Sequence, residues 1–439
     1  MMSKEYWDES IETISREELE VYQLKQLRQQ ITESYTKSPY YKQSFDKAGV
    51  KPEDLRSLDD LIKFPILTKQ DVRERQDVAP IIGDLCVKGE EAVVFISSSS
   101  GSTGVPTASP FSKRDFDEFQ DVESRLFWQA GMRPTDRYIH ALNFSLFVGG
   151  PDVIGAQNLG ALCIWAGTLP ADRLLFIIQQ YQPTVIWTTP SYAWYLGETA
   201  KQKGINPATD LAINKIIVAG EPGGSIPATR EAIEELWDAQ VFDFYGISDI
   251  FGACAAACEA YDGLHMAEDH ILVEVVDEKT GLPVKEGERG EMLLTTLRKE
   301  VRPMIRFRTG DIVTYTDEKC SCGRTLKRIK VVGRIDDMFI AGGVNVFPSD
   351  IEHVTRKFEN LTGEYRVNVI EEQHITKFTV EVEKRLNDET DTEELKEKVA
   401  YEIKMQLGVK PKEVIILEEG TLPRATHKAK RLQDLRQKA

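Results

Sequence analysis

The stretch Ser97-Ser98-Ser99-Ser100-Gly101-Ser102-Thr103-Gly104-Val105-Pro106-Thr107 follows directly on the apolar run Val93-Val94-Phe95-Ile96. Small residues in succession let consecutive backbone N–H groups converge on one anion, and hydroxyls add donors without bulk, so such a loop can wrap a polyphosphate. No Gly-Lys-Ser/Thr follows, so it is not a Walker loop. A flexible Ser/Gly linker shares this composition, but linkers rarely sit between a buried strand and a resumed fold. Ser98, Ser99, Ser100, Gly101, Ser102, Thr103 and Gly104 are therefore candidate phosphate ligands.

Downstream of the loop, short apolar runs alternate with amphipathic segments. RYIHAL, ALCIWAG, TVIWTT, KIIVAG and QVFDFYG read as buried strands, like VVFI before them, and Pro227 to Trp237 as one of the intervening helices. Strands alternating with helices predict parallel sheets with helices packed outside. Upstream, Leu19, Tyr22, Leu24, Leu27 and Ile31 recur at helical spacing, predicting a helix over Arg16 to Ala48. After Glu268 the texture changes to ILVEVVD, EMLLTTL and IVTYT with Gly and Pro turns, which predicts a small antiparallel sheet. VVGRIDDMFIAGGVNVFP opens a last α+β region with helices over Ser349 to Phe358 and Glu393 to Leu407 and strands TVEVE and EVIIL. A chain of 439 residues exceeds one core. The predicted division is a large α/β domain over 1–333 and a small α+β domain over 334–439.

The net charge is −16, with 71 acidic against 55 basic residues. That argues against a nucleic-acid partner, which needs clustered Lys and Arg. No uncharged run approaches the length of a membrane span, and the opening MMSKEYWDESIETISREELE is too polar for a secretory signal. The expectation is a cytoplasmic protein without a membrane partner. If it handles anions, it must build positive potential locally. Cys86, Cys163, Cys254, Cys258, Cys320 and Cys322 are too few for a disulfide framework, yet four fall in two close pairs. Cys258, His265, Cys320 and Cys322 can form a tetrahedral structural Zn2+ site from Cys-x6-His and Cys-x-Cys, with Cys254 as a rival ligand.

Three further motifs follow the loop in order: Tyr245-Gly246-Ile247-Ser248-Asp249, Arg308-Thr309-Gly310-Asp311 and Gly333-Arg334-Ile335-Asp336-Asp337. Together the four resemble the phosphate loop, the Tyr-Gly-x-Ser/Thr-Glu motif, the ribose motif and the hinge of the adenylate-forming superfamily. YWDESIET, SPYYKQSFDKAGV, GLHMAEDH, RPMIRFRTGD, CSCGRT, DDMFIAGGVNVFPSDIE and LPRATHKAKR extend the resemblance to phenylacetate-CoA ligases nearly end to end.

The resemblance implies that a small aromatic carboxylic acid is activated by ATP as its acyl-adenylate, and that the acyl group then passes to coenzyme A, with release of pyrophosphate and AMP. Two alternatives stand beside it: an adenylating enzyme with a non-CoA acceptor, and a degenerate nucleotide- or acyl-CoA-binding protein. The resemblance further implies ATP, Mg2+ and coenzyme A as cofactors and, by analogy, a homodimer. Gly220, Glu221, Pro222, Tyr245 and Gly246 would line the adenine slot, Ser248 would lie beside the phosphates, and Asp311 would take the ribose. Asp249, in place of Glu, would face Mg2+; Arg334 and Asp336 would form the hinge about which the small domain swings. Lys428 would be the cation of the adenylation step, with Lys430 as alternative, and Phe144, Phe147 and Gly149 would meet the acid. The sequence departs from the pattern at Val105 and Thr107, where Lys is common, at His427, where Gly usually stands, and at Leu142 to Phe147, where related ligases tend to carry Tyr-Gly-Tyr-Gly.

Overall fold

Apolar residues on both faces force the central strands inside. In Val185–Thr188, Lys215–Ala219 and Gln240–Gly246, successive residues fall alternately into two cores: Trp187, Ile217 and Phe244 in one, Ile186, Ile216 and Val241 in the other. Side chains alternate across a strand, so a strand covered on both sides must be apolar throughout. The computed structural model describes residues 5–78, 82–98, 107–144, 149–372, 375–386, 388–424 and 429–436.

The strands Leu162–Trp165, Arg137–His140, Val185–Thr188, Lys215–Ala219 and Gln240–Gly246 lie parallel in that spatial order. The sheet then continues antiparallel through Ala253–Ala256, Leu264–Met266, Arg328–Arg334, Phe307–Thr316, Gly290–Thr296 and Ile271–Val276. The parallel and antiparallel regions legible in the sequence are thus hydrogen-bonded into one sheet of eleven strands. Leu162–Trp165 is its edge, which leaves Leu162 and Trp165 more than half exposed instead of buried.

Two local expectations are corrected. Val93–Ser98 is not in this sheet; it pairs with Ala108–Ser112 as a separate antiparallel ribbon, with Val94 59% exposed. Along Val93–Ile96 only one face is packed, through Phe95 against Phe111 and Phe116, whereas Ser109–Ser112 is buried on both. The helix predicted over 16–48 is two helices, Arg16–Lys37 and Pro39–Ala48. Proline disfavours the helical conformation at the residue before it. Ser38 is accordingly extended and caps the second helix by accepting from the Tyr41 N–H.

The last region has its own four-stranded sheet, in the order Glu413–Glu418, Ile375–Lys384, Leu361–Glu372, Leu432–Asp434, and its own core. Its helices are Pro348–Thr355, shorter than predicted, and Thr392–Leu407, capped by Asp391 and ended by Gly408 at φ 74°. Among the described residues no helix is long and apolar enough to cross a membrane.

Buried ion pairs tie the helical layer to the sheet. Arg125 donates twice to Asp269, at 3.0 and 2.7 Å, with both side chains buried. Burial alone would raise the Asp269 pKa, but Arg125, with His270 beside it, holds it well below the usual carboxylate range. Arg125→Met strands that carboxylate and should cost about 3–5 kcal/mol in urea unfolding, whereas Arg125→Met with Asp269→Leu should recover most of the loss.

Candidate functional site

Three cations from distant parts of the chain meet at Asp249. Lys69 donates to Oδ2 at 2.7 Å, and the Arg302 guanidinium and the Thr107 hydroxyl reach Oδ1 at 3.4 Å each. Lys299 donates to the carbonyls of Asp249 (3.2 Å) and Ile250 (2.8 Å) and to the Ser109 hydroxyl (3.1 Å). Burial would raise the Asp249 pKa, but Lys69, Arg302 and Lys299 hold it below its ordinary value. Burial, and then Arg302, push the Lys299 pKa down to about 7. The cluster sits where the Ser/Gly loop returns at Thr107, so the positive charge missing from the loop is supplied from elsewhere. With Lys69 on one oxygen and Arg302 and Thr107 on the other, Asp249 carries a donor on each oxygen.

Tyr245, Asp311 and Arg334, predicted from three separate motifs, form one chain. The Tyr245 hydroxyl donates to Asp311 Oδ2 at 2.5 Å, and Arg334 donates to Oδ1 at 2.7 Å and reaches Asp336 at 3.4 Å. Burial raises the Asp311 pKa, and Arg334 and Tyr245 oppose this. An ionised carboxylate has about four lone-pair sites, so Asp311 keeps acceptor capacity for a ligand hydroxyl. Gly310 precedes it at φ 76°, and Gly246 lies so close to Gly252 that a Cβ would come within 2.5 Å of the Gly252 carbonyl oxygen. Neither position accepts a side chain without moving the backbone. The Ser97 hydroxyl donates to the Ser248 carbonyl at 3.5 Å, and the Ser98 hydroxyl to the Thr107 carbonyl at 3.4 Å, joining ribbon and motif.

Gly220, Glu221 and Pro222 follow Lys215–Ala219, at the carboxyl ends of the parallel strands, where ligands of open α/β sheets bind. Glu221 is half-buried; it accepts from Ser191 N–H (3.2 Å) and hydroxyl (2.9 Å) and from the Ala429 N–H (3.3 Å). Thr229 donates to Glu352 at 3.0 Å, and the Arg356 guanidinium lies 4.5 Å from the Trp194 ring centroid, so these contacts also dock the small region. Phe144 is partly exposed, stacked on Trp165 at 5.4 Å with His140 at 4.8 Å, and Gly149 adjoins Asp152. Ser99, Ser100, Gly101, Ser102, Thr103, Gly104, Phe147 and Lys428 lie outside the described residues.

Away from these groups, the ligand atoms of Cys258, His265, Cys320 and Cys322 all lie within 4.8 Å of one another. The Cys258 and Cys320 sulfurs are 3.8 Å apart, and the Cys322 sulfur is 3.5 Å from His265 Nε2. His265 Nδ1 lies 3.3 Å from the Leu326 carbonyl and can donate to it, which leaves Nε2 free to ligate. Cys254 is not part of the cluster.

The two regions also match known families. Residues 22–296 match the AMP-binding enzyme family, and residues 343–436 match the AMP-binding enzyme C-terminal domain. Phenylacetate-coenzyme A ligase of Escherichia coli (strain K12) is 36% identical over 434 residues, covering 97% of each chain. The chain belongs to the phenylacetate-CoA ligase family of AMP-binding enzymes. Among solved structures, 2-hydroxyisobutyryl-CoA ligase in the postadenylation state with R3-HIB-AMP is 29% identical at a TM-score of 0.93, covering 99% of this chain and 93% of that one. The same ligase with 2-HIB-AMP and CoA in the thioesterification state gives 0.75, covering 100% and 94%. This family member therefore has its two regions arranged as in the first of those states.

Lys69, Lys299 and Arg302 escaped the sequence reading of this family member. Arg302 opens the quoted stretch RPMIRFRTGD, but nothing local links it to Asp249, and Lys69 is separated from Asp249 by 180 positions. A depressed carboxylate pKa contributes stability that is present above the unfolded value, near 3.9, and is lost as pH falls through the folded value. Lys69→Met should raise the Asp249 pKa toward its unfolded value, so the variant should melt below the wild type at pH 7, and melting curves taken down to about pH 2.5 should show that gap narrowing as the pH falls below about 4.

Proposed function

We propose that this chain forms an acyl-adenylate from an aromatic carboxylic acid and ATP and transfers the acyl group to coenzyme A. The observation that carries the reading is the junction of Lys69, Lys299 and Arg302, beside the return of the Ser/Gly loop, with the Tyr245–Asp311–Arg334 chain. A carboxylate oxygen of the acid attacks the α-phosphorus, and the bond to the pyrophosphate oxygen breaks. The CoA thiol, its proton lost, then attacks the acyl carbon, and AMP leaves. Cations fixed in a desolvated site offset the charge that develops in the first step. Gly220, Glu221, Pro222, Tyr245 and Gly246 take the base and Asp311 the ribose; Ser98 to Gly104 and Ser248 surround the phosphates, and Mg2+ enters with the nucleotide. Phe144, Phe147 and Gly149 meet the acid.

Lys428 supplies the ammonium at the α-phosphate. Glu221 binds the very next residue, Ala429, in an arrangement resembling a postadenylation state, which supports this assignment. Burial raises the Asp337 pKa, and Arg334 and then Lys430 oppose this, which favours a hinge-side place for Lys430. Arg334 and Asp336 mark the division at 333/334 on which the small domain turns toward the second step.

The cluster of Cys258, His265, Cys320 and Cys322 fits structural Zn2+. Tetrahedral zinc with bonds of about 2.3 Å sets its sulfurs about 3.8 Å apart, and Cys258 and Cys320 have that spacing. The ion would brace the 320–325 turn on which the N-terminal segment docks, through Tyr6 to the Cys322 carbonyl, Arg324 to Glu12, and the Thr325 N–H to the Glu12 carbonyl.

Isotope exchange between pyrophosphate and ATP should require acid but not CoA, and adding CoA should release AMP and yield a thioester. Lys428→Ala should slow exchange by about 100- to 1000-fold; unchanged exchange would remove Lys428 from the first step, and AMP release that ignores CoA would point to another acceptor. Elemental analysis should find one zinc per chain, lost in Cys322→Ser together with protection of residues 5–16 in hydrogen exchange. Protein grown with added zinc yet free of metal would refute the zinc assignment.

A further inference from the structure

Between the segment assigned to the acid and the Tyr245–Asp249 motif lies a buried polar cluster that the adenylation chemistry does not use. Glu123, on the helix Lys113–Gln129, and Asp152, first residue of Asp152–Leu159, both converge on the same backbone. Glu123 Oε1 accepts from the Ala253 N–H at 2.7 Å. Asp152 Oδ1 stands 2.7 Å from where a Cβ on Gly252 would be, and Asp152 Oδ2 3.6 Å from where one on Gly149 would be. The cluster thus touches the acid segment on one side and, through Gly252, the backbone packed on Gly246 on the other.

Glu123, Asp152 and Gln120 are each about 1% exposed or less. Gln120 lies one turn before Glu123 on the same helix face. Glu123 Oε2, Asp152 Oδ1 and both polar atoms of the Gln120 amide have no hydrogen-bond partner among the described residues. Each buried polar atom left unpaired costs about 1–3 kcal/mol. Four such atoms on three neighbouring side chains are too costly for a purely structural core, and such costs persist where a ligand offsets them. Burial, and for Glu123 also the neighbouring Asp152, pushes both pKa values up, which favours neutral carboxyls able to donate as well as accept.

We propose that Gln120, Glu123 and Asp152 form a polar floor of the acid pocket that receives a hydroxyl or amino substituent on the acid, so that the preferred substrate is a hydroxylated or aminated carboxylic acid in place of an unsubstituted arylacetate. The inference rests on the adenylation reading and names its substrate class. A site built to hydrogen-bond a substituent discriminates strongly against the analogue that lacks it, because its own buried groups then stay unpaired.

The test is CoA-independent pyrophosphate exchange with matched acids: phenylacetate and benzoate against their ring-hydroxylated and ring-aminated derivatives. At least one derivative should exceed its parent by tenfold or more in kcat/KM, and the hydroxyl and amino arms tell which donor is preferred. Glu123→Gln and Asp152→Asn should shrink that ratio, and Gln120→Met provides a third variant if either carboxyl change prevents folding. Parents that match or exceed every derivative, or a ratio unmoved in every folded variant, would overturn the proposal while leaving adenylation standing. Absence of exchange with every acid would instead overturn the adenylation reading, and this one with it.

Discussion

The carboxylate of Asp311 ties together side chains from three strands that lie far apart in the sequence. It sits on Phe307–Thr316 directly opposite Arg334 in sheet register, so its pairing with that guanidinium is set by the antiparallel ladder itself. Its second oxygen takes the Tyr245 hydroxyl from the last parallel strand. A buried carboxylate with a single partner would be costly; one with a bidentate pair of anchors is satisfied and rigid. The single sheet of eleven strands is what makes this possible, because it places the end of a parallel strand and the middle of an antiparallel one within hydrogen-bond reach.

Around that anchor an acidic chain builds a local positive field. Lys69, Lys299 and Arg302 are drawn from the N-terminal helical layer and from the loop before Phe307–Thr316, and all converge beside Thr107 and Ser109. Buried cations gain from the low dielectric only when something fixes them. Here backbone carbonyls and Asp249 do so: Lys299 rests on two carbonyls and a hydroxyl, and Arg302 on the Ala108 carbonyl.

What could be seen in the sequence follows from how local each cause is. Runs such as KIIVAG and QVFDFYG are apolar at every position because both faces are covered, and that is visible without knowing the partners. The helix over Pro227–Trp237 appeared with both ends correct because Pro227 opens it and the apolar spacing closes it. The run VVFI was misplaced because four apolar residues look alike in a central strand and in a ribbon with one wet face. Helical periodicity across Ser38-Pro39 masked a break that proline alone announces. Within the candidate site, Tyr245, Asp311 and Arg334 belong to motifs and could be singled out from the sequence, whereas Lys69 and Lys299 belong to none. Their roles exist only through contacts spanning 180 and 50 positions, which no local pattern encodes. The cysteine cluster lay in between: spacing suggested it, but only the fold excludes Cys254.

The bond from the Ala429 N–H to Glu221 reaches beyond docking. Glu221 is flanked by Gly220 and Pro222 in the slot proposed for the base, so on that proposal one carboxylate would border both an incoming nucleotide and the closed small region. Thermodynamic reciprocity then applies: whatever factor closure adds to nucleotide affinity, bound nucleotide returns to closure. On that proposal, occupancy and posture would form a single linked equilibrium, and departure of the base would itself favour opening.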